Sequence, residues 1–211
     1  MTNKILGISF ETAGPSGALP VVLIHGFPFA RAMWKPQVDV LSKQYQVVTF
    51  DVRGHGESEV GDGQYSIEFF VDDLIAVMGK LKIDKAVLCG LSMGGYIALR
   101  AVERHPERFN GLVLCDTKSE SDGNEAKIKR SASIQAVKKD GVGPFAENFI
   151  KAVLAEGTLK TKPETVESVR QMINANTPQG ISGALLALAS RTDTTPSLAK
   201  IQAPTLILVG A

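Results

Sequence analysis

Apolar residues along this chain fall into short continuous runs, separated by longer stretches in which they recur every three or four positions. Val21, Val22, Leu23 and Ile24 form one such run, and residues 46–50, 86–89, 112–115 and 205–209 form four more. Continuous rather than alternating runs predict strands buried on both faces, as in a parallel sheet. Residues 5–10 alternate apolar with small or polar side chains and predict an antiparallel strand at the N-terminal edge. Between the runs lie helices. Phe69, Phe70, Leu74, Val77, Met78 and Leu81 share a helical face behind Ser66, a natural N-cap. A second helix is predicted over 93–103, stopped by Pro106. The alternation of strand and helix predicts an α/β fold with a mostly parallel sheet flanked by helices.

The interval 119–195 breaks the alternation. It contains no strand pattern, and helical patterns over 128–139, 145–155 and 165–174 are broken by Gly and Pro. A helical insertion of this kind predicts a cap, inserted after the strand that ends near Cys115. The expected organisation is an α/β core over 1–118, the cap over 119–195, and the start of the core's C-terminal part over 196–211.

Composition narrows the function classes without naming one. The 211 residues are 44% hydrophobic and 21% charged, with 23 basic and 22 acidic side chains and a net charge of +1. This balance gives no electrostatic reason for a nucleic-acid or anionic-membrane partner. No apolar run approaches the roughly 18 residues that span a bilayer, and the N-terminus lacks a leader pattern. A cytoplasmic location is the resulting expectation. Cys89 and Cys115 sit inside strand runs and read as small buried thiols rather than a disulfide or a metal site. No metal ligand set and no cofactor motif is read from the sequence.

The chemistry concentrates in turns that follow strands. Gly90-Leu91-Ser92-Met93-Gly94 fits G-x-S-x-G, with an apolar strand before it and a helix after it. A sharp strand-to-helix turn presents a serine hydroxyl at the sheet's C-terminal edge, and Gly90 and Gly94 remove side chains that would collide across it. Ser92 is the expected nucleophile. Acyl transfer also needs two N–H donors for the developing oxyanion. Met93, after the serine, and Phe27, in His25-Gly26-Phe27-Pro28 after the first parallel strand, are the expected donors, with His25 and Gly26 as motif support. The loop Asp51-Val-Arg-Gly-His-Gly-Glu-Ser58 contains catalytic residue types, but two glycines among them predict a tight turn held by its own side chains.

These three motifs, in this order, together with Ile201-Gln-Ala-Pro-Thr-Leu-Ile-Leu-Val-Gly210, resemble the α/β-hydrolase superfamily along essentially the whole chain. His25-Gly26-Phe27-Pro28, Trp34, and Arg191 with Asp193 resemble the branch of 3-oxoadipate enol-lactonases, small carboxylesterases and cofactor-free haloperoxidase-like perhydrolases. Serine at 92 separates it from dehalogenases and epoxide hydrolases, which carry aspartate there. The resemblance implies a triad in the order serine, acid, histidine. After Ser92 the chain offers only His105, about three helical turns away, roughly 20 Å at 1.5 Å per residue. His25 and His55 remain as substitutes, and Asp116, after the strand that follows the elbow, is a candidate acid. The resemblance therefore implies that the histidine, the acid, the last strand and the last helix lie beyond residue 211. It also implies that a C-terminal segment, a second chain or a partner copy covers the apolar edge at 205–209.

Two function classes follow. The first is a serine hydrolase of a small carboxylic ester or lactone, working through an acyl-serine, with perhydrolysis as a variant. The apolar residues Phe145, Phe149, Leu154 and Met172 would roof its pocket. The second is a catalytically inactive fragment or ligand-binding protein that keeps the elbow without its base.

Overall fold

The computed structural model of the chain describes residues 3–210. Seven strands form one sheet: β1 (Asn3–Ile5), β2 (Ile8–Ala13), β3 (Pro20–Ile24), β4 (Gln46–Phe50), β5 (Ala86–Leu91), β6 (Phe109–Cys115) and β7 (Thr205–Leu208), in the spatial order β1-β2-β4-β3-β5-β6-β7. All pairings from β4 through β7 are parallel, and β1 and β2 are antiparallel additions. The predicted parallel strands are all present. The single edge strand expected over 5–10 is instead a hairpin, turning at Leu6 and Gly7 with φ of 49° and 78°. Two consecutive positive φ values define the two-residue turn that suits the twist of a hairpin. Gly7 accepts that conformation freely, and the alternation on either side carries through the turn unbroken.

Helix α1 (Lys35–Leu41), α2 (Ile67–Lys80) and α3 (Met93–Arg104) cover the core. Ser66 caps α2 as expected, its hydroxyl accepting from Phe69 N at 3.2 Å. Phe70, Val71, Leu74, Val77 and Met78 are buried in the main core with Ile97, Ala98 and Ala101 of α3 and with Leu88 and Leu112 of the sheet. Phe69 departs from the expected stripe. It is 46% exposed, and its ring lies 5.3 Å from the Arg53 guanidinium carbon.

The opposite sheet face carries a smaller cluster of Val21, Leu23, Trp34 and Val47, against which Val87, Cys89 and Leu91 pack. That cover stops short of the β6–β7 edge. Leu206, Ile207, Leu208 and Val209 are between 49% and 75% exposed. Cys89 and Cys115 lie on this face, free and 3.9 Å apart at sulfur, half-buried rather than fully buried as expected. Burial and the neighbouring Cys115 push the Cys89 thiol up to about 12.

Between β6 and β7 the chain forms helices α4 (Asn124–Asp140), α5 (Val142–Val153), α6 (Glu156–Thr161), α7 (Pro163–Asn174) and α8 (Pro178–Ala189). They share one hydrophobic cluster with the core, in which Val137, Ile150, Ile173, Ile181 and Leu185 are as buried as the sheet residues. Helix α8 is seated through its glycines. A methyl group at Gly180 would overlap Gly54 O, and one at Gly183 would overlap Gly63 O and the Tyr65 ring. Arg191 clasps the two ends of the helical stretch. It donates to Asp122 Oδ1 at 2.6 Å and to Glu120 O at 2.8 Å, and its guanidinium carbon lies 4.2 Å from the centre of the Tyr96 ring on α3. Arg130 donates to the other oxygen of Asp122.

Removing one partner of a buried pair leaves a charge with no compensation, at a typical cost of about 3–5 kcal/mol. Asp122→Ala is expected to lower stability by that amount in urea denaturation. Replacing Asp39, an exposed residue paired with Lys35, should change it by less than about 1 kcal/mol.

Candidate active site

Two chain segments meet at the C-terminal edge of the sheet, and glycines set how closely they approach. A Cβ on Gly94 would overlap Ile24 O and press on His25 O at 2.9 Å; one on Gly90 would overlap Gly94 O. The turn after β5 and the loop after β3 thus pack backbone against backbone. Ser92 sits at the apex with φ 49° and ψ −109°, outside the regions that L-residues favour. Such a conformation costs of order 1–3 kcal/mol and persists only where its surroundings enforce it. Here Ser92 N donates to Cys115 O at 2.9 Å. Ser92 O accepts from Gly95 N at 2.9 Å, Tyr96 N at 3.2 Å and the Thr117 hydroxyl at 2.8 Å. Met93 is the first residue of α3, where a helix provides no internal acceptor for the N–H and the helix dipole favours negative charge.

His25 is completely buried, and both ring nitrogens are occupied. Nδ1 faces Gly26 O at 2.9 Å and Nε2 accepts from Val52 N at 2.9 Å. An acceptor on one side and a donor on the other fix a neutral ring protonated at Nδ1. Gly26 O accepts from Phe29 N as well, at 2.9 Å. The carbonyl of Gly26 and the N–H of Phe27 belong to one trans peptide plane and point in opposite directions. Pinning the carbonyl from two donors therefore fixes the direction of the Phe27 N–H. This arrangement makes His25 a support for its loop and leaves it no free nitrogen for a proton transfer.

The other histidines are also placed elsewhere. His55 is buried, with Nδ1 3.2 Å from Arg53 O and its ring edge-on to His25 and Phe27. His105 is the C-cap of the 12-residue helix α3, about 20 Å from Ser92 at 1.5 Å per residue. Asp116 lies beside the elbow at the end of β6, exposed, with φ 43° and its N–H donating to Leu208 O at 2.8 Å.

The charged loop is a tight turn held by its own side chains together with Arg31 and, through Arg53, Asp73 of α2. Asp51, 1% exposed, accepts from Arg31 N at 2.7 Å and Glu57 N at 2.9 Å and pairs with the Arg31 guanidinium. Ser58 donates to Asp51 O at 2.6 Å. No group of three or more His, Cys, Asp or Glu among the described residues could hold a metal ion. A groove of about 640 Å³ lies behind this loop, between Arg31, Asp51, Gly56 and Met172; neither Ser92 nor Met93 lines it.

Above the oxyanion loop the helical layer presents aromatic rings. Phe27 meets Phe145 at 5.9 Å and Phe149 at 6.1 Å between ring centres, and Phe149 meets Phe29 at 5.9 Å, all edge-to-face. Asn176, which follows α7, donates to Pro28 O at 2.8 Å and accepts from Gly56 N at 3.1 Å. Nothing in the spacing of the sequence singles out this asparagine, because its partners lie 148 and 120 residues away.

Two outcomes follow from this geometry. Gly94→Ala forces the elbow away from Ile24 and is expected to cost about 3 kcal/mol or more. Gly143→Ala, a helical position with nothing within 4 Å, should be neutral or slightly stabilising; thermal denaturation compares the two. The second outcome concerns acid. Burial pulls His25 from 6.5 down to about 4, and burial with the nearby His25 pulls His55 down to about 3. Below about pH 6.5 the unfolded chain binds protons at these rings that the folded chain refuses. Stability present above that pH is lost as pH falls toward the folded values. The urea midpoint should decline across this window, and less steeply in His55→Asn.

The geometry has counterparts among known proteins. Residues 20–211 match the family model described as alpha/beta hydrolase fold. The chain is 28% identical over 211 residues to 3-oxoadipate enol-lactonase 2 of Acinetobacter baylyi, spanning 100% of this chain and 78% of that protein. A thermophilic esterase of Thermogutta terrifontis superposes with a TM-score of 0.92 at 40% identity, over 99% of this chain and 78% of that one. The enol-lactonase of Burkholderia xenovorans LB400 gives 0.90 at 28% identity, over 97% and 78%. With the sheet order and the family model in agreement, the chain belongs to the α/β-hydrolase superfamily.

Proposed function

We propose that this chain carries the nucleophile and oxyanion machinery of a serine hydrolase acting on a small carboxylic ester or lactone. The observation that carries the reading is the strained Ser92, at φ 49° and ψ −109° on the first turn of α3, beside a peptide whose N–H direction is fixed by His25. Strain that the surroundings enforce at a helix N-terminus is how a serine hydroxyl is presented to a carbonyl carbon. The names of similar proteins, an esterase and enol-lactonases, support the substrate class.

In this mechanism Ser92 Oγ attacks the carbonyl carbon, and the N–H groups of Phe27 and Met93 receive the negative charge on its oxygen. Collapse expels the alcohol, or opens the lactone ring, and leaves an acyl-serine. Water then attacks the acyl carbon, with peroxide as the alternative nucleophile in a perhydrolase. Residues 119–195 act as a cap, and Phe27, Phe145 and Phe149 bound an apolar acyl pocket.

The proton must leave Ser92 for a base; both nitrogens of His25 are occupied, His105 lies at the far end of α3, and His55 is fully buried against His25 and Phe27. The base in this reading is a histidine outside the 211 residues, carried by a C-terminal segment or a partner chain. Its seat is the uncovered sheet face at Cys115, Leu206 and Leu208, one residue from Asp116, which is the candidate to orient the imidazole. Without it turnover should be lower by about 10⁶.

A fluorophosphonate probe followed by mass spectrometry tests the reading. Labelling confined to Ser92 and abolished by Ser92→Ala is expected when the complementing segment is present, with the 211 residues alone reacting far more slowly. Failure to label with the complement present overturns it, and the chain is then a binding scaffold.

A further inference from the structure

We infer that Asn176 is the positioning residue that sets the oxyanion loop, tying it to the charged loop and to the helical layer; this rests on the reading of Phe27 as an oxyanion donor. The side chain is 7% exposed, and its amide is fully engaged. Nδ2 donates to Pro28 O at 2.8 Å, with Ile173 O at 3.2 Å and Met172 O at 3.3 Å as further acceptors, and Oδ1 accepts from Gly56 N at 3.1 Å. Carbonyls on one side and an N–H on the other fix which end of the amide is which.

An asparagine that merely ended α7 would need only the two bonds to its own helix. The bonds to Pro28 and Gly56 reach two separate loops and close the gap between them. Pro28 O is held by Asn176 from one side, while Gly26 O is held by His25 and Phe29 N from the other. Phe27 lies between these two anchors. Gly56 follows His55, whose ring stands edge-on to Phe27 at 6.0 Å, so the Gly56 bond also fixes what packs beneath Phe27. Met172, one turn before Asn176, is on the same helix end, and α7 packs on α5, which carries Phe145 and Phe149. A ligand that shifts this roof is therefore felt at the oxyanion loop through Asn176 as well as through the rings of Phe145 and Phe149.

Amide hydrogen exchange, read as protection factors, separates this role from general destabilisation. In Asn176→Ala, residues 25–30 and 53–58 are expected to lose about tenfold or more in protection, while 93–104 keep theirs. Asn176→Asp supplies the sharper readout. It retains an acceptor for Gly56 N but turns a carboxylate toward Pro28 O, so at neutral pH protection falls at 25–30 and holds at 53–58. As pH falls the new carboxyl takes a proton, becomes a donor, and restores protection at 25–30. Burial raises its pKa above the ordinary carboxylate value, so recovery is expected as pH falls below neutrality. The loops around it also carry Arg31, Arg53, His25 and His55, α7 carries Glu164, Glu167 and Arg170, and α5 carries Glu147 and Lys151, with Arg170 paired to Glu147 and Glu167; the two imidazoles, lowered to about 4 and about 3, stay neutral above about pH 5. Uniform loss of protection, no loss at 25–30, or no recovery in acid overturns the proposal.

Ser92 labelling is followed in the same samples, with the complementing segment present. Absence of labelling in the parent protein overturns the catalytic reading and leaves the exchange pattern to decide Asn176. Labelling at the parent rate in an Asn176→Ala protein with a loosened loop overturns the positioning role.

Discussion

The closest backbone approach in the site is the one between Gly94 and the carbonyl of Ile24, and the rest of the arrangement follows from it. Strand β5 must end where β3 ends, because any side chain at 94 would hold the two turns apart. Their parallel register keeps Gly90 beside Ile24, so the elbow begins as the oxyanion loop begins. The strain at Ser92 is sustained by the same contact. Its carbonyl is held by α3 and Thr117, and its N–H by the last residue of β6, so three neighbouring segments over-determine one unfavourable conformation.

Polar bonds then do what apolar packing leaves undone. The main hydrophobic cluster runs through sheet, helices and helical layer without a break, but it cannot fix the direction of a peptide plane. His25 and Asn176 hold two carbonyls of the loop after β3, Gly26 O and Pro28 O, on either side of Phe27, and Asp51 fixes the start of the neighbouring turn. At the far side Arg191 joins Glu120, Asp122 and Tyr96, so both ends of the inserted helices leave the core at one point. His25, Asn176 and Asp51 are buried and answered by partners of opposite character, the condition under which buried polarity specifies a structure instead of weakening it, while Arg191 is paired through Nη1 and Nη2 and leaves Nε without a partner.

The elbow, its glycines, the charged turn and the parallel strands were legible in sequence because each is a local requirement. A strand-to-helix turn with a serine at its apex needs glycine at fixed offsets, and those offsets are short enough to read. The hairpin at Leu6 and Gly7 was hidden because the alternation on both sides continues through it. Phe69 has the right spacing for the core stripe, yet stacking under Arg53 draws it to the surface. The half-exposure of Cys89 and Cys115 depends on what covers the sheet face, which no strand run encodes. Asn176 was invisible for a different reason: its role exists only once segments 148 residues apart have been brought together. The neutrality of His25 belongs to the same class, since it depends on Val52 N arriving at Nε2.

The helical layer is fastened differently at its two ends. The glycines of α8 rest directly on the carbonyls of Gly54 and Gly63, with the Tyr65 ring against the second. Lifting the roof at that end would tear main chain from main chain and expose donors and acceptors at once. At the α5 end the roof meets the oxyanion loop only through the edges of half-buried phenylalanine rings, which can tilt and return. The helical layer is thus seated backbone on backbone at one side and held by the edges of aromatic rings at the other.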